Sequence, residues 1–383
     1  MKWKDLRVLV VDDHLNMRKM IVNMLKSHGF QHVVEAPDGT DALAKMEEGG
    51  VDIVVCDWNM PKMKGVQVLQ WMRNHDATRD TPFLMITAEV DEKTVMQALE
   101  GEVDGYIIKP FKAQTLIEKL TKILERKEKP TPIEMHIKTG LAHLNSGNTN
   151  QAIAEFKKAL MVDSLSPRSH YHLGLAHEKN KDYKSAIRSM KKSVELSSKY
   201  VKGFEGLHRV FKAVGKNEEA MKALEEAVAL SPINQERQME LGKDLLKSGR
   251  IGEAKEVLTQ ARKLFPEDAT LAKAIGEAYM EAGLHAEAEE AFGNALSLNP
   301  SMRDVYNRLG IAYRKQGKVK EAILNYQQAL KISPNDENLY YNLGVAFLEG
   351  KDKKSAAKSL SIAVKLNPGF SQAEELLNRL GEA

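Results

Sequence analysis

DIVVCDWNMP, residues 52–61, decides the fold: DIVVC reads as a strand and delivers Asp57 at its carboxyl end. Three further strands end in the same manner. RVLVV (7–11) runs into Asp12-Asp13, PFLMI (82–86) into Thr87, and GYII (105–108) into Lys109. In an open parallel α/β sheet the carboxyl ends of the strands converge, so these side chains are expected to share one pocket around Asp57.

The residue types suit phosphoryl transfer. A carboxylate and a phosphoryl donor are both anionic, so a cation and a lysine must neutralise the oxygens as the new bond forms. Asp12 and Asp13 offer hard oxygen ligands of the kind Mg²⁺ takes while keeping several waters. Asp57 would be both ligand and attacking group, with Thr87 offering a hydroxyl and Lys109 a compact positive charge to the phosphoryl oxygens. Each member has a plainer reading. Adjacent Asp residues often cap a following helix, here MRKMIVNMLKSHGF with Met17, Met20, Ile21, Met24 and Leu25 on one face, and Lys-Pro after a strand is often a turn. The convergence of all four strand ends favours the pocket.

VLVVDDHLNMRKMIVNMLKSHGF, CDWNMPKMKGVQVL, MITAEV and DGYIIKPF closely resemble the receiver domain of two-component response regulators, of the chemotaxis (CheY-like) type, over about the first 127 residues. The resemblance implies a doubly wound, five-stranded, flavodoxin-like parallel sheet. It implies Asp57 as phospho-acceptor, and Mg²⁺ held by Asp12, Asp13, Asp57 and the backbone carbonyl of Asn59. Lys109 would pair with the phosphoryl group, Thr87 and Tyr106 would form the switch pair, and Lys109-Pro110 would be cis. Met60-Pro61 and Gly65 would shape the neighbouring loop. Asn59 and Glu89 stand where the family tunes hydrolysis of the aspartyl phosphate, and their polar character implies rapid decay.

Beyond the linker ERKEKPTP (125–132) the pattern changes. Rows of 34 residues starting at 133, 167, 201, 235, 269, 303 and 337 fall into register without gaps. Column 20 holds Ala152, Ala186, Ala220, Ala254, Ala288, Ala322 and Ala356. Column 8 holds Gly140, Gly174, Gly242, Gly276, Gly310 and Gly344, with His208 in the third row. Small residues at these columns let two antiparallel helices approach closely. Pro232, Pro266, Pro300, Pro334 and Pro368 are expected to end the second helix of five rows, with Ser164 and Ser198 in the other positions. The pattern resembles the tetratricopeptide repeat (TPR), most clearly in YNRLGIAYRKQGKVKEAILNYQQALKISP. The fold class expected is therefore α/β plus all-α: receiver 1–127, linker 128–132, seven repeats 133–370 as an α-solenoid, and a capping helix 371–383.

Such an array implies a concave groove for a protein or peptide, lined by columns 2, 5, 9 and 12 of each first helix. At or beside those columns stand Arg168, Lys202, Arg209, Lys212, Lys243 and Lys247, against Asn338, Tyr341, Val345 and Leu348 in the last row. A groove basic at one end and apolar at the other is expected to take an acidic peptide with hydrophobic anchors. His136, His143, His170 and His177 stand at large-residue columns, where an aromatic packing role is favoured over metal ligation.

Residues 1–127 carry 18 basic and 20 acidic side chains, net −2, so the remainder supplies +5 of the total +3. That asymmetry is too modest to indicate nucleic acid, and no DNA-reading module follows the receiver. A single cysteine, Cys56, excludes an internal disulfide and agrees with a reducing cytoplasm, and no apolar stretch approaches a membrane span. The function expected is a response regulator phosphorylated by a cognate histidine kinase, with output through protein binding by the repeats. Its chemistry would be limited to accepting and losing a phosphoryl group. The alternative is a passive scaffold whose receiver only docks. The fifth helix, AQTLIEKLTKILERK, leads toward the first repeat, so a contact through the face of the fourth helix, fifth strand and fifth helix is expected to respond to phosphorylation.

Overall fold

The computed structural model describes residues 3–61, 63–75, 77–88, 103–232 and 234–381. Two compact units emerge, Met1–Pro232 and Ile233–Ala383.

The first unit begins with five parallel strands, β1 (Arg7–Val11), β2 (His32–Ala36), β3 (Ile53–Asp57), β4 (Phe83–Thr87) and β5 (Gly105–Ile108), in the order β2-β1-β3-β4-β5. All five residues of β3 and of β4 are buried, as strands covered on both faces require. Alternation along the strands divides the core in two. Val8, Val10, Ile53, Val55, Leu84, Ile86 and Ile107 pack under α1 (Leu15–Ser27) and the helix Ala113–Glu128. Leu9, Val11, Val54, Cys56, Phe83 and Met85 pack under α2 (Gly39–Glu47) and α3 (Gly65–Asn74). Full burial of each such aliphatic side chain contributes about 1.5–3 kcal/mol, which fixes the register that brings the strand ends together.

The helix Ala113–Glu128 and the first repeat helix, Pro132–Asn145, are separated only by Lys129, Pro130 and Thr131. Thr131 caps the new helix reciprocally: its Oγ1 accepts from Glu134 N at 3.3 Å while Glu134 Oε2 accepts from Thr131 N at 2.7 Å. The receiver also meets the repeats at the amino end of its strands. Lys138 Nζ lies 3.1 Å from Asp80 Oδ2, just ahead of β4. At the start of β5, burial raises the Asp104 carboxyl, opposed by the Phe83 N–H and by the charges of Arg73 and Arg168.

Three helix pairs complete the first unit, and four pairs plus the helix Ser371–Gly381 form the second. The column 20 alanines are buried without exception. At column 8 the first helix presses on column 24 of its partner: a methyl group on Gly276 would fall 2.6 Å from Phe292, and one on Gly174 2.6 Å from Met190. His208 breaks the glycine column because the third row moves its small residues. Gly203 and Gly206 there face Val194 and Met190 of the second row, while buried His208 turns Nδ1 to Ala220 O at 3.1 Å.

Two features differ from the sequence reading. The second helices end at Val162, Leu196, Leu230, Leu264, Leu298, Ile332 and Leu366, one column throughout, whether proline or serine follows two residues later. The common stop is therefore a property of the repeat geometry, and proline is compatible with it without setting it. The turn inside each pair also requires a left-handed residue at column 15. Gly147, Gly215, Gly249, Gly283 and Gly317 supply it with φ between 75° and 79°, and Lys181 and Lys351 adopt it at 59° and 64°.

Candidate phosphoryl-acceptor site

The carboxyl ends of β1, β3, β4 and β5 meet as expected. Asp12 is fully buried, Asp57 and Thr87 nearly so, and Asp13 is partly open to solvent. Lys109 binds the two acids together: its Nζ lies 2.5 Å from Asp57 Oδ1 and 3.0 Å from Asp12 Oδ2. The other oxygens are held by main chain, with Asn59 N donating to Asp57 Oδ2 at 2.9 Å and His14 N donating to Asp12 Oδ1 at 2.8 Å. Asp12 thus ties down the turn after β1, while the N-cap position of α1 is His14, with no side-chain cap, so the plainer role of the acid pair as helix caps is not realised.

The loop beyond β3 is shaped by close backbone approach. Trp58 N donates to Ile86 O at 2.7 Å and Gly65 N to Trp58 O at 2.9 Å. Any Cβ on Gly65 would strike the carbonyl oxygen of Asp57 itself, so that loop closes only around glycine. The Lys109-Pro110 bond is cis, and Lys109 N donates to Thr87 O at 2.7 Å, anchoring the lysine beside the threonine.

Electrostatics follow from burial. Burial raises the Asp57 carboxyl above its ordinary value; the hydrogen bond and charge of Lys109 work against that, and the charge of Asp12 adds to it. For Lys109, burial acts to lower proton affinity, but Asp57 and Asp12 outweigh it and leave the ammonium held more firmly than usual. Cys56 behind the site is pushed well up, by burial first and then by Asp57 and Asp12. Two acids share one lysine in a low-dielectric pocket, which leaves excess negative charge for a further cation. The donor set of carboxylate oxygens fits a hard divalent ion such as Mg²⁺, and Asp12, Asp13 and His14 present ligand atoms within 4.8 Å of one another.

Tyr106 lies in β5, half-buried against the α2–α3 side of the core, with Lys119 Nζ 5.6 Å from its ring centroid. Asn59 is exposed beside Asp57, and Glu89 lies outside the described residues. Arg18 was missed by the sequence reading. It donates from Nη1 to Asp12 O at 2.6 Å and from Nε to Glu35 at 3.1 Å, bracing the acid pair from α1.

The proposed groove residues fare differently. Arg209 forks onto Glu178 of the preceding row at 3.2 and 3.1 Å, so its charge is shared with that acid. Burial alone would lower its proton affinity, and Glu178 with Tyr171 reverses that. Tyr341 is half-buried: its ring meets Phe370 at a tilt, centroids 5.0 Å apart, and with Leu348 it packs on the same apolar cluster as Leu376, Leu377 and Leu380 of the terminal helix. The last helix of the chain therefore packs beside Tyr341 and Leu348, which stay half-exposed, as does Val345. Asn338 lines a cavity of about 600 Å³ with Arg303, Asp304, Asn307 and Asp336. Arg168, Lys202 and Lys212 lie on the first helices of the second and third rows, and Lys243 and Lys247 on that of the fourth. Among the described residues none of His136, His143, His170 and His177 joins a group of three possible metal ligands. His136 Nδ1 instead lies 2.8 Å from Glu155.

A model of the response regulator receiver domain matches residues 8–121, where this pocket lies. The chemotaxis protein CheY-3 of Vibrio cholerae is 45% identical over 123 residues, 32% of this chain and 95% of that protein. The chain belongs to the response regulator receiver family. Chemotaxis protein CheY of Pseudomonas aeruginosa is 43% identical over 121 residues, 32% of this chain and 98% of that one. A model of the C-terminal domain of cilia and flagella-associated protein 70 matches residues 90–312, overlapping the end of the receiver match, and a TPR repeat model matches residues 310–350. The C-terminal part of a TPR repeat-containing protein from Cytophaga hutchinsonii superposes with TM-score 0.50 and 16% identity over 62% of this chain and 98% of that one, a likeness of fold. Among the described residues no helix is long and apolar enough to cross a membrane.

Proposed function

We propose that this receiver accepts a phosphoryl group on Asp57 from a cognate histidine kinase, in a reaction that needs Mg²⁺, and that its output is protein binding by the repeats. The supporting observation is Lys109 lodged between Asp57 and Asp12, at 2.5 and 3.0 Å. An Asp57 oxygen attacks phosphorus as the bond to the kinase's imidazole breaks. Lys109 then exchanges its contact with Asp57 for one with a phosphoryl oxygen, and Thr87 donates its hydroxyl to another. A cation held by Asp12, Asp13, Asp57 and the Asn59 carbonyl would supply charge neutralisation. Hydrolysis of the acyl phosphate resets the site, so the pocket serves a cytoplasmic switch and not a metabolic enzyme, with Asn59 and Glu89 setting the lifetime.

The change at Thr87 and Tyr106 would reach the face of β5 and the helix Ala113–Glu128, which is joined to the first repeat by three residues. On this reading phosphorylation rearranges the receiver against the repeats. Incubating the full chain with a small phosphodonor and Mg²⁺ should add one phosphoryl mass to wild type and none to Asp57→Asn. Absence of the adduct in wild type would leave only a docking scaffold.

A further inference from the structure

We propose that His14 gives the cation pocket a nitrogen ligand, so that it gains affinity for divalent ions that bind imidazole, with Mn²⁺ as the probe, relative to Mg²⁺. The proposal rests on the reading of this pocket as a cation site and concerns a nitrogen donor, the one found among the described residues there. His14 Nδ1 lies 2.9 Å from Asp13 Oδ1 and 3.9 Å from Asp12 Oδ1. Two ligands at about 2.1 Å from one ion and at right angles to each other stand roughly 3.0 Å apart, so imidazole and Asp13 already have the spacing of neighbouring ligands. The separation to Asp12 also falls within the span of a single coordination shell.

The surroundings permit the exchange. The backbone of His14 is fixed by Asp12, whose Oδ1 accepts its N–H at 2.8 Å, so the ring hangs from an anchored Cα. Its side chain is 77% exposed, and an incoming cation would replace only the contact to Asp13, itself an acceptor that turns to the same ion. Asp12 Oδ2 accepts from Lys109 and Oδ1 from the His14 N–H, so a metal would take the second lone pair of Oδ1, 3.9 Å from His14 Nδ1. Carboxylates alone suit Mg²⁺ or Mn²⁺ alike, whereas imidazole adds little for Mg²⁺ and more along the series from Mn²⁺ upward.

Calorimetric titration of the full chain with Mg²⁺ and with Mn²⁺, and pulsed electron paramagnetic resonance of the Mn²⁺ complex, test this directly. Wild type should show nitrogen modulation from one directly bound imidazole. His14→Gln should lose it and weaken Mn²⁺ binding about tenfold while Mg²⁺ binding changes less than twofold. Asp13→Asn should weaken both ions, placing the signal in this pocket. Equal Mn²⁺ affinity in wild type and His14→Gln, or a Mn²⁺ spectrum without directly bound nitrogen, would overturn the role of His14 and leave an all-oxygen site. Failure of wild type to bind either ion would overturn the cation pocket itself, and the inference with it.

Discussion

One repeat contains both halves of a decisive comparison, because Gly276 and Gly293 are both helical and their environments are opposite. On Gly276 a methyl group would lie 2.6 Å from two ring atoms of Phe292, about 1 Å inside ordinary contact, and Phe292 is fully buried with nowhere to withdraw. Overpacking of that kind costs about 1–3 kcal/mol, against roughly 1 kcal/mol gained because alanine is the better helix former. Gly276→Ala is therefore expected to destabilise the array by up to about 2 kcal/mol net. Gly293 is exposed and has nothing within 4 Å of a built Cβ, so only the propensity gain remains. Gly293→Ala should stabilise by about 0.5–1 kcal/mol. Urea unfolding followed by circular dichroism reads both, and at a typical slope the midpoints should move in opposite directions by about 0.5 M. Repeat arrays can unfold piecewise, so amide exchange of residues 269–281 provides the local value. Shifts of the same sign for both substitutions would refute the account of why column 8 is glycine.

Column 15 supplies a second test. Lys351 holds φ 64° where five other rows place glycine, and Lys351→Gly should stabilise by about 1 kcal/mol, read as a raised midpoint. The third concerns pH. Burial raises the folded-state affinity of Asp57 for its proton above that of an ordinary carboxyl, so its contribution favours the fold below the ordinary carboxylate range and is lost as pH rises through the higher folded value. Asp57→Asn should consequently be more stable than wild type at pH 7, with the difference shrinking toward pH 3.5. An advantage that grows on acidification would show that the pairing with Lys109 outweighs burial.

The receiver was legible because its chemistry sits at strand ends. Once RVLVV, DIVVC, PFLMI and GYII read as strands, the parallel sheet alone places Asp12, Asp57, Thr87 and Lys109 together. Arg18 was not legible, since its two partners, the Asp12 carbonyl and Glu35, are known only when α1 is laid against β1 and β2. In the repeats, column statistics gave the small contact residues but not what pairs with them. Glu178 meets Arg209 from a different column 31 positions earlier, so a column-by-column reading shows the cation without the acid that shares its charge. Column 15 escaped notice because lysine fills it in two rows, and a left-handed turn tolerates lysine at a cost that no residue list displays.

The ion pair of Lys138 with Asp80 sets a limit on how news of phosphorylation can travel. It lies ahead of the amino end of β4, whereas Asp57 lies at the carboxyl end of β3, roughly a strand's length of about 16 Å away. A Debye length near 8 Å in physiological salt mutes a new charge over that path where solvent intervenes, and a pair this open to water holds weakly in any case. An added phosphate therefore gains little leverage there by its field. On the proposed function, whatever reaches the first repeat would be carried as displacement, through the strands and the helix that follows them, so that the domain would act less as a battery than as a lever.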